Sequence, residues 1–423
     1  MSATVTSVTV PVFDQGLQRI KFFNGRLLSG EDLTTEQAAN RHLLDRAGRA
    51  VGDGVVFGLE VSLQTGTTTP TVTVQPGVAF NRDGQSVRLG KATNVGLYAP
   101  SAPAANTGTV TPFTSCGPSA PGIYLSATDA YLLTIAPAAG TSGVAPVLGL
   151  SDGTDKCNAK YLVEGAQFGL IQLHAQQSDL ISNAVQNLVA ARCFGFGSDP
   201  LVDPFSASLP AQGTPGPQGL IEALRGGALT NGEVPLAVIG WTVGTGITFV
   251  DMWSARRRVG RPDNADDAIF PITDRYTSLR EAVFLQFQSQ LALALGGAYG
   301  PPASLIASSA FQYLPPVGLL PLSTAAFPTG IVPQTFFQNN TVRGPIAIEG
   351  ARAEAMIRDS LRYPQIDLQS GEMVWLFQTR QNMQAAAAQS NPARPYVFFV
   401  TGQMPYYGDS RYNAAYFDFD AWT

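Results

Sequence analysis

The sequence carries little charge. Asp, Glu, Lys and Arg make up 13% of its 423 residues, about half of the usual share. Only four of the 26 basic residues are lysines, at positions 21, 91, 156 and 160. Protein interfaces favour arginine over lysine, because the planar guanidinium is weakly hydrated and loses little freedom when it forms hydrogen bonds. The composition therefore favours a surface partly covered by partner proteins, although a GC-rich genome would give the same arginine excess.

Basic patches and long apolar runs are also lacking. The net charge is -5, which offers no general attraction for nucleic acid or for anionic lipid. No stretch approaches 18 uninterrupted apolar residues, and the first residues lack the basic and apolar regions of a signal peptide. We therefore expect no nucleic-acid partner, no membrane span, and a cytoplasmic location or one within an assembled particle.

Residues that carry chemistry are scarce. The two histidines, His42 and His174, accompany neither a G-x-S-x-G segment nor a Cys-His signature. The three cysteines, Cys116, Cys157 and Cys193, share no C-x-x-C spacing, which fits neither a disulfide framework nor a zinc site. The glycine-rich segments lack the spacing of a nucleotide-binding loop. The sequence thus predicts no catalytic residue, no metal site and no cofactor.

One pair of carboxylates leaves an enzymatic alternative open. Asp418 and Asp420 alternate with Phe417 and Phe419, so a strand would place both carboxylates on one face. Such a pair could bind a cation or serve glycoside hydrolysis, which needs two carboxyl groups about 5 to 10 Å apart in a cleft. We favour the interpretation that these aspartates lie on the solvated face of an edge strand.

The pattern of apolar residues predicts a mainly β protein with interposed helices, of the α+β, multi-domain class with β-sandwich-like units. We predict an N-terminal helix with a small β-unit over residues 1–98, and a linker or long loop over 99–121. A β-rich middle domain would follow over 122–260, and an α+β domain over 261–423. Residues 99–121 are rich in Pro, Ala, Ser, Thr and Gly without an apolar period, which is typical of a linker.

Several elements have clear local signals. Ser29 and Asp32 have the spacing of a capping box and predict a helix over about 31–50. Its apolar side is predicted to contain Leu33, Ala39, Leu43, Leu44 and Ala47. Asp83-Gly84 indicates a hairpin turn. A long helix over about 278–295 is apolar on most sides, so we expect it to be buried.

The middle segment predicts separate strands, a helix and a hairpin. The strands are expected at IYLSA, AYLLTIAP, AKYLVEG and FGLIQLHA, and the helix at SDLISNAVQNLVAARC. Two further strands are expected around the turn at Gly244 to Gly246. Near the C-terminus, GEMVWLFQT and RPYVFFVTGQ predict a pair of strands, preceded by a helix near 350–361.

Three segments carry a resemblance to a known group of proteins. They are KFFNGRLLSGEDL (residues 21–33), GVVFGLEV (54–61) and VTVQPGVAFNRDG (72–84). In this order they resemble proteins encoded with phage-tail-like contractile injection systems and in some tailed-phage baseplates. Segments farther along, such as VPLAVIGWTVGTGITFVDMW and FQYLPPVGLLPL, are similar to the middle and C-terminal parts of such proteins.

The resemblance implies a structural subunit, in or around a baseplate, that acts through protein interfaces and has no active site. Its expected partners are other subunits of the injection particle, including further copies of itself. A fibre-like module that binds a receptor or a glycan is the alternative. The chain has no spike, lysozyme-like or sheath pattern, so its place within the particle stays open.

Aromatic and arginine residues dominate the energetics of interfaces, and this guides the choice of candidate contact residues. The candidates are Phe22, Phe23, Arg26, Arg256, Arg257, Arg258 and Trp375. For Phe22, Phe23 and Trp375 the alternative is core packing. For the three consecutive arginines it is local pairing with Asp263, Asp266 and Asp267.

Overall fold

A computed structural model confirms a mainly β protein with interposed helices. The structure describes ten stretches of the chain: residues 19–65, 70–98, 122–125, 127–146, 157–195, 219–260, 274–348, 350–361, 363–379 and 395–404. The predicted linker at 99–121, Asp418 and Asp420 lie outside the described residues, as do Asp263, Asp266 and Asp267.

The first helix, α1, covers Gly30–Val51, in agreement with the prediction. Its start is fixed by the predicted capping box: the Asp32 N–H donates to the Ser29 hydroxyl, and the Ser29 N–H donates to the Asp32 carboxylate. These bonds satisfy backbone donors that have no partner within the helix. The helix ends at Gly52, whose φ of 106° suits glycine.

Short strands follow α1 and form two small sheets. The strands are β1 (Gly54–Gly58), β2 (Val61–Leu63), β3 (Thr71–Val74), β4 (Gly77–Phe80), β5 (Ser86–Leu89), β6 (Thr93–Tyr98) and β7 (Gly122–Tyr124). One sheet has the order β1-β4-β5 and the other β2-β3-β6-β7. The predicted turn at Asp83-Gly84 connects β4 to β5, and Gly84 has a φ of 81°.

The middle segment contains the longest strands. Its strands are β8 (Asp129–Pro146), β9 (Cys157–Gln172), β10 (Val234–Thr242) and β11 (Gly246–Asp251), in the order β11-β10-β8-β9. The predicted hairpin of β10 and β11 is confirmed. The prediction of separate strands at AKYLVEG and FGLIQLHA was wrong, because both belong to the 16-residue β9, which pairs with the 18-residue β8.

In the described residues between β9 and β10 there are three helices: α2 (Gln177–Leu180), α3 (Val185–Phe194) and α4 (Gly219–Ala223). Val189, Cys193 and Ile221 from this group pack in one hydrophobic cluster with Leu132 of β8 and Val238 of β10. The helices therefore cover one face of the β8–β10 sheet.

The C-terminal segment begins with the long helix α5 (Asp274–Leu295). It is followed by a 3-10 turn (Pro302–Ser304), α6 (Ala307–Ala310), β12 (Tyr313–Leu314), β13 (Val317–Pro321), α7 (Pro333–Phe336), β14 (Val342–Ile348), α8 (Gly350–Ser360), β15 (Ile366–Asp367), β16 (Val374–Thr379) and β17 (Tyr396–Thr401). The main sheet has the order β13-β17-β16-β14, and the predicted strand pair is β16 and β17.

Phenylalanines hold the core of the C-terminal segment together. Phe287 of α5 contacts Phe311 and Phe399, with ring centroids 5.2 and 5.3 Å apart. Phe337 contacts Phe399 edge-on, with centroids 5.5 Å apart. Phe287, Phe311, Phe337 and Phe399 are all buried, and such edge contacts contribute beyond area burial. The prediction that α5 is buried between layers agrees with this packing.

A single hydrophobic cluster joins the first and middle segments. It contains Val72 and Leu97 of one small sheet, Val87 of the other, and Leu133 and Ile239 of the middle sheet. Three sheets thus enclose one core, in a sandwich-like arrangement. The segments 1–98 and 122–260 share this core, and their division into separate domains stays a prediction.

A buried polar network joins the middle and C-terminal segments. Asp251, at the end of β11, accepts hydrogen bonds from the Ser254 N–H at 3.1 Å, from Gln286 Nε2 at 3.0 Å and from Gln186 Nε2 at 3.4 Å. Gln286 also donates to Gln290 at 3.0 Å. Burial raises the pKa of the Asp251 carboxyl, and these hydrogen bonds oppose the rise.

Asn187 of α3 strengthens the same junction. Its side-chain Nδ2 donates to the Tyr313 carbonyl at 2.9 Å, and its Oδ1 accepts from the N–H groups of Gln312 and Tyr313 at 2.8 and 3.0 Å. The amide therefore satisfies three backbone groups next to β12, as a neighbouring strand would.

The buried carboxyl of Asp251 makes stability depend on pH. Because its folded pKa lies above the ordinary value of 3.8, the native state retains a proton that the unfolded chain has already released. The resulting contribution to the free energy of unfolding is present at low pH and is lost as pH rises from about 4 through the folded pKa. The slope is at most about 1.4 kcal/mol per pH unit.

We expect Asp251→Asn to remove this dependence, because the amide does not titrate. Urea unfolding of wild type and variant from pH 4 to pH 7 measures the difference between their free energies of unfolding. The free energy of unfolding of the wild type minus that of the variant should fall with rising pH and then become constant. A difference that is the same at every pH would contradict the assignment.

Candidate interface

The segment before α1 is held in place by Arg26. Its guanidinium is 2.6 Å from the Asp32 carboxylate, donates to the Lys21 carbonyl at 3.2 Å, and lies 6.0 Å from the centre of the Phe23 ring. The hydrogen bond from the Ser29 N–H lowers the pKa of Asp32, and the charge of Arg26 adds to this effect. Arg26 thus connects the segment to the first turn of α1.

The same segment exposes its aromatic and aliphatic side chains. Phe22 is 55% exposed and Phe23 61% exposed, and Leu27 and Leu28 are exposed as well. Among the described residues, neither phenylalanine packs in a core. Their role in contacts with a partner stays a prediction.

Helix α1 exposes most of the apolar side that its sequence pattern predicts. Leu33, Leu44 and Val51 are exposed. Leu44 lies 11 residues after Leu33 and seven before Val51. These spacings are about three and two helical turns, so the three residues lie on one side of the helix. A surface helix normally buries this side against its own protein. Here the buried residues of α1 are Ala39 and Gly48.

Helix α1 is attached to the protein body by its C-terminal half. Gly48 lies directly against the backbone of Gly84 in the β4–β5 turn, so close that a Cβ on Gly48 would overlap the Gly84 carbonyl oxygen. Arg49 Nε donates to the Asp83 carbonyl at 3.0 Å, and Arg41 forms an ion pair with Glu164 of β9. The helix is therefore fixed by close backbone contact and polar bonds rather than by its leucines.

A bulge adds two further exposed apolar residues in β1. Val55 pairs with Ala79 and Phe57 with Val78, so Val56 is an extra residue in the strand. As a result both Val56 and Phe57 are exposed while Val55 is buried. The motif GVVFGLEV thus presents part of its apolar content to the surface.

The three consecutive arginines differ in their surroundings. The Arg256 guanidinium lies 5.6 Å from the Trp253 ring and 3.8 Å from Glu60, and burial lowers its pKa. Arg257 donates to the carbonyls of Trp253 and Ser254 at 2.8 and 3.1 Å.

Arg258 is the most exposed member of this group. Its side chain is 61% exposed and lies 3.5 Å from Glu281 of α5. Arg256 and Arg257 thus form contacts within the described part of the chain, and their predicted pairing with Asp263, Asp266 and Asp267 lies outside the described residues. Arg258 offers the more accessible cation for a partner.

Trp375 lies in β16 and is half-buried. It packs against a cluster that includes Met356 of α8 and Phe377 and Phe398 of the main C-terminal sheet. Trp375 therefore contributes to packing in this chain. Its packing partners among the described residues belong to the C-terminal segment.

Sequence reasoning missed the apolar residues of the β8–β9 hairpin. Tyr161, Leu162 and Val163 are exposed, although the motif AKYLVEG is typical of a strand with a buried face. A signal was present in the neighbouring segment 136–146, which has no charged residue and no bulky aromatic to cover them.

The described residues give little support for chemistry. No group of three or more His, Cys, Asp or Glu side chains within them is arranged to hold a metal ion. A crevice between α3 and α5, lined by Asn187, Phe194, Gln286 and Tyr313 among others, has a volume of about 10 Å³, room for one water molecule. Among the described helices, none combines the length and apolar character needed to cross a bilayer.

Comparison with known proteins gives no relative: no protein-family model matches the chain, and no curated protein matches it significantly.

The contact between Gly48 and Gly84 leads to a prediction. Replacing a helical glycine by alanine usually stabilises by up to about 1 kcal/mol. We expect Gly48→Ala instead to destabilise by about 1 to 3 kcal/mol, because the added methyl displaces α1 from the β4–β5 turn. Urea unfolding and amide hydrogen exchange of α1 measure the effect.

Gly30→Ala is the matched control in the same helix, since a Cβ at Gly30 would meet no atom within 4 Å. It should leave stability unchanged or slightly raised. Equal stability of the two variants would show that α1 is not fixed by this contact.

Proposed function

We propose that this chain is a structural subunit of a contractile injection system or related phage-tail-like particle, in or around the baseplate, and that it acts through protein–protein interfaces. The observation that carries the proposal is the exposed apolar surface of the segment before α1 and of α1 itself. We call it the α1 surface and define it by Phe22, Phe23, Leu33, Leu44 and Val51. Monomeric proteins rarely expose large contiguous apolar patches, and those that occur often mark interaction sites.

The three segments that resemble injection-system proteins all expose apolar residues or contact α1. The first, residues 21–33, forms the exposed segment and the start of α1. The third, residues 72–84, ends at the turn that holds Gly48. The second, residues 54–61, contains the bulge that exposes Phe57. The first and third segments thus form or support the α1 surface, and the second exposes apolar residues of its own. This favours an interface role over a purely internal one.

The proposed mechanism is geometric. Helix α1 is attached to the protein body through Gly48, Arg49 and Arg41, so a neighbouring subunit that covers its leucines would be held in a defined orientation. Arg26 fixes the segment that carries Phe22 and Phe23, which lowers the entropy lost when these rings become buried. Such an interface holds neighbours in register without any chemical step.

Imaging of particles purified from the native host tests the proposal. Electron cryo-microscopy of particles from the wild type and from a strain lacking this chain should differ by density of the size of one subunit. If wild-type particles do not contain the chain and are identical to those from the deletion strain, the assembly role is overturned.

A single substitution tests the α1 surface itself. Leu44 is 71% exposed, so Leu44→Glu should leave the isolated chain folded. A charge at the centre of an interface should nevertheless reduce incorporation into particles at least tenfold. Quantitative mass spectrometry of purified particles measures incorporation.

Ile181→Glu is the matched control, because Ile181 is an exposed aliphatic residue, 78% exposed, outside the α1 surface. It should be incorporated as well as wild type. Equal loss of both variants would indicate a general effect of the added charge, and the α1 surface would then have no special role.

A receptor- or glycan-binding module of the same particle is the second candidate, favoured by the two exposed rings of Phe22 and Phe23 outside regular structure. Aromatic rings on such segments can stack on sugars. Binding of the isolated chain to a glycan array, lost in Phe22→Ala and Phe23→Ala, would favour this candidate over a subunit interface.

A further inference from the structure

The β8–β9 hairpin extends beyond its sheet as a two-stranded arm. Strand β10 pairs with β8 only from Asp129 to Ile135, whereas β8 and β9 remain paired from Tyr131↔Gln172 to Pro146↔Cys157. Within the described residues no strand pairs with the other edge of β9. Two-stranded ribbons are only marginally stable in water, and a free edge is a template for a further strand.

The outer part of β9 is exposed along its length. Every residue from 159 to 165 is exposed, and Leu162 is 63% exposed. Tyr161 and Val163 are exposed on either side of it. Three consecutive apolar residues on a free strand edge are costly to leave in water.

The charges of this segment are arranged symmetrically about Leu162. Lys160 lies two residues before it and Glu164 two residues after it. On the β8 side Glu164 lies opposite Ala139, and β8 has no charged residue from Ala136 to Pro146. Within the described residues, β8 therefore offers no charge that could pair with Lys160 or Glu164 across the hairpin.

We propose that the outer edge of β9 pairs with β9 of a second copy of this chain, antiparallel and with the two-fold axis at Leu162. In this register Lys160 of each copy faces Glu164 of the other, and Tyr161 faces Val163. Opposite charges and aromatic–β-branched pairs are favourable across antiparallel strands. The symmetry makes each pair occur twice, so one short segment supplies a self-complementary interface.

The existing contacts of these side chains are compatible with the pairing. Arg41 contacts Glu164 through Oε1, and the Glu164 side chain remains 73% exposed, so its second oxygen can accept from a lysine. Lys160 Nζ lies 4.9 Å from the centre of its own Tyr161 ring. Moving a lysine head group from this exposed position to a carboxylate requires only a change of rotamer.

The competing explanation for Lys160 and Glu164 is that their charges prevent other strands from pairing with the edge of β9. Lysine on an edge strand often prevents pairing with other chains. The two explanations predict opposite effects of charge reversal. If Lys160 and Glu164 prevent association, reversing one charge increases it. If they pair with each other across a dimer, reversing one charge decreases it. Pairing over this short segment is smaller than a standard interface, so we expect a dimer that dissociates on dilution.

The experiment uses the purified full-length chain and sedimentation equilibrium over a range of concentrations. Wild type should dimerise reversibly. Lys160→Glu and Glu164→Lys should each raise the dissociation constant at least about tenfold, because each creates two like-charge pairs. An equimolar mixture of the two variants should dimerise again, since the opposite charges then face each other in both pairs.

The double variant Lys160→Glu with Glu164→Lys should also dimerise as well as wild type, although the lysine introduced at position 164 is repelled by Arg41 in its own chain. Circular dichroism of each variant checks that the fold is retained. Monomeric wild type at all concentrations, or a single variant that associates more tightly than wild type, would overturn the proposal.

Dimerisation through the α1 surface is a distinct outcome. Leu44→Glu should leave the β9 dimer unchanged. If Leu44→Glu instead abolishes dimerisation while Lys160→Glu leaves it intact, the β9 pairing is overturned. The inference does not depend on the proposed particle role, because it is tested on the isolated chain. If the chain is present in particles but is monomeric when isolated, only the β9 pairing is contradicted. If the isolated chain dimerises but is absent from particles, only the assembly role is contradicted.

Discussion

The antiparallel pairing of β8 with β10 is the contact on which the rest of the structure depends. Alternate side chains of β8 enter different cores: Tyr131, Leu133 and Ile135 face the three-sheet core, and Ala130 and Leu132 face the helices α3 and α4. Strand β10 follows the same alternation, with Ile239 on one side and Val238 on the other. Both cores therefore share one pair of strands. The arm begins where that pairing ends, at Ile135 and Val234, and Asp251 of the polar junction pairs with Val238 of the same β10.

The polar junction is a different kind of contact from either core. Asp251 follows the strand next to β10, and its partners Gln186 and Gln286 come from α3 and α5. A buried network of this kind is costly if one member is lost, because each remaining donor keeps its desolvation penalty. It favours one orientation of the C-terminal segment, where apolar packing alone would tolerate several.

Local signals predicted much of the fold. The capping box at Ser29 and Asp32 and the turn at Asp83-Gly84 use side-chain and backbone preferences within a few residues, so they are readable without the tertiary structure. The continuity of β9 was not readable in this way. Gly165 interrupts its apolar pattern, and the pairing with Ala138 that keeps the strand straight involves a distant residue.

The candidate interface was only partly predictable for the same reason. Phe22 and Phe23 were named as candidates and are exposed, but aromatic residues occur in cores as well as at interfaces. The exposure of Leu44 depends on the contact between Gly48 and Gly84, two glycines 36 residues apart in sequence. The exposure of Tyr161 and Leu162 depends on where β10 begins, because its first residue, Val234, pairs with Ile135 of β8.

The distance along the chain between β6 and β10 also affects how the protein is made. The three-sheet core needs both Leu97 and Trp241, which are separated by 144 residues, 241 minus 97. At ribosomal rates of about 5 to 20 residues per second, the first sheets wait roughly 7 to 30 seconds before β10 is synthesised. During that time Val72, Val87 and Leu97 lack their later partners, so the nascent chain presents apolar surface to whatever factors meet it at the ribosome.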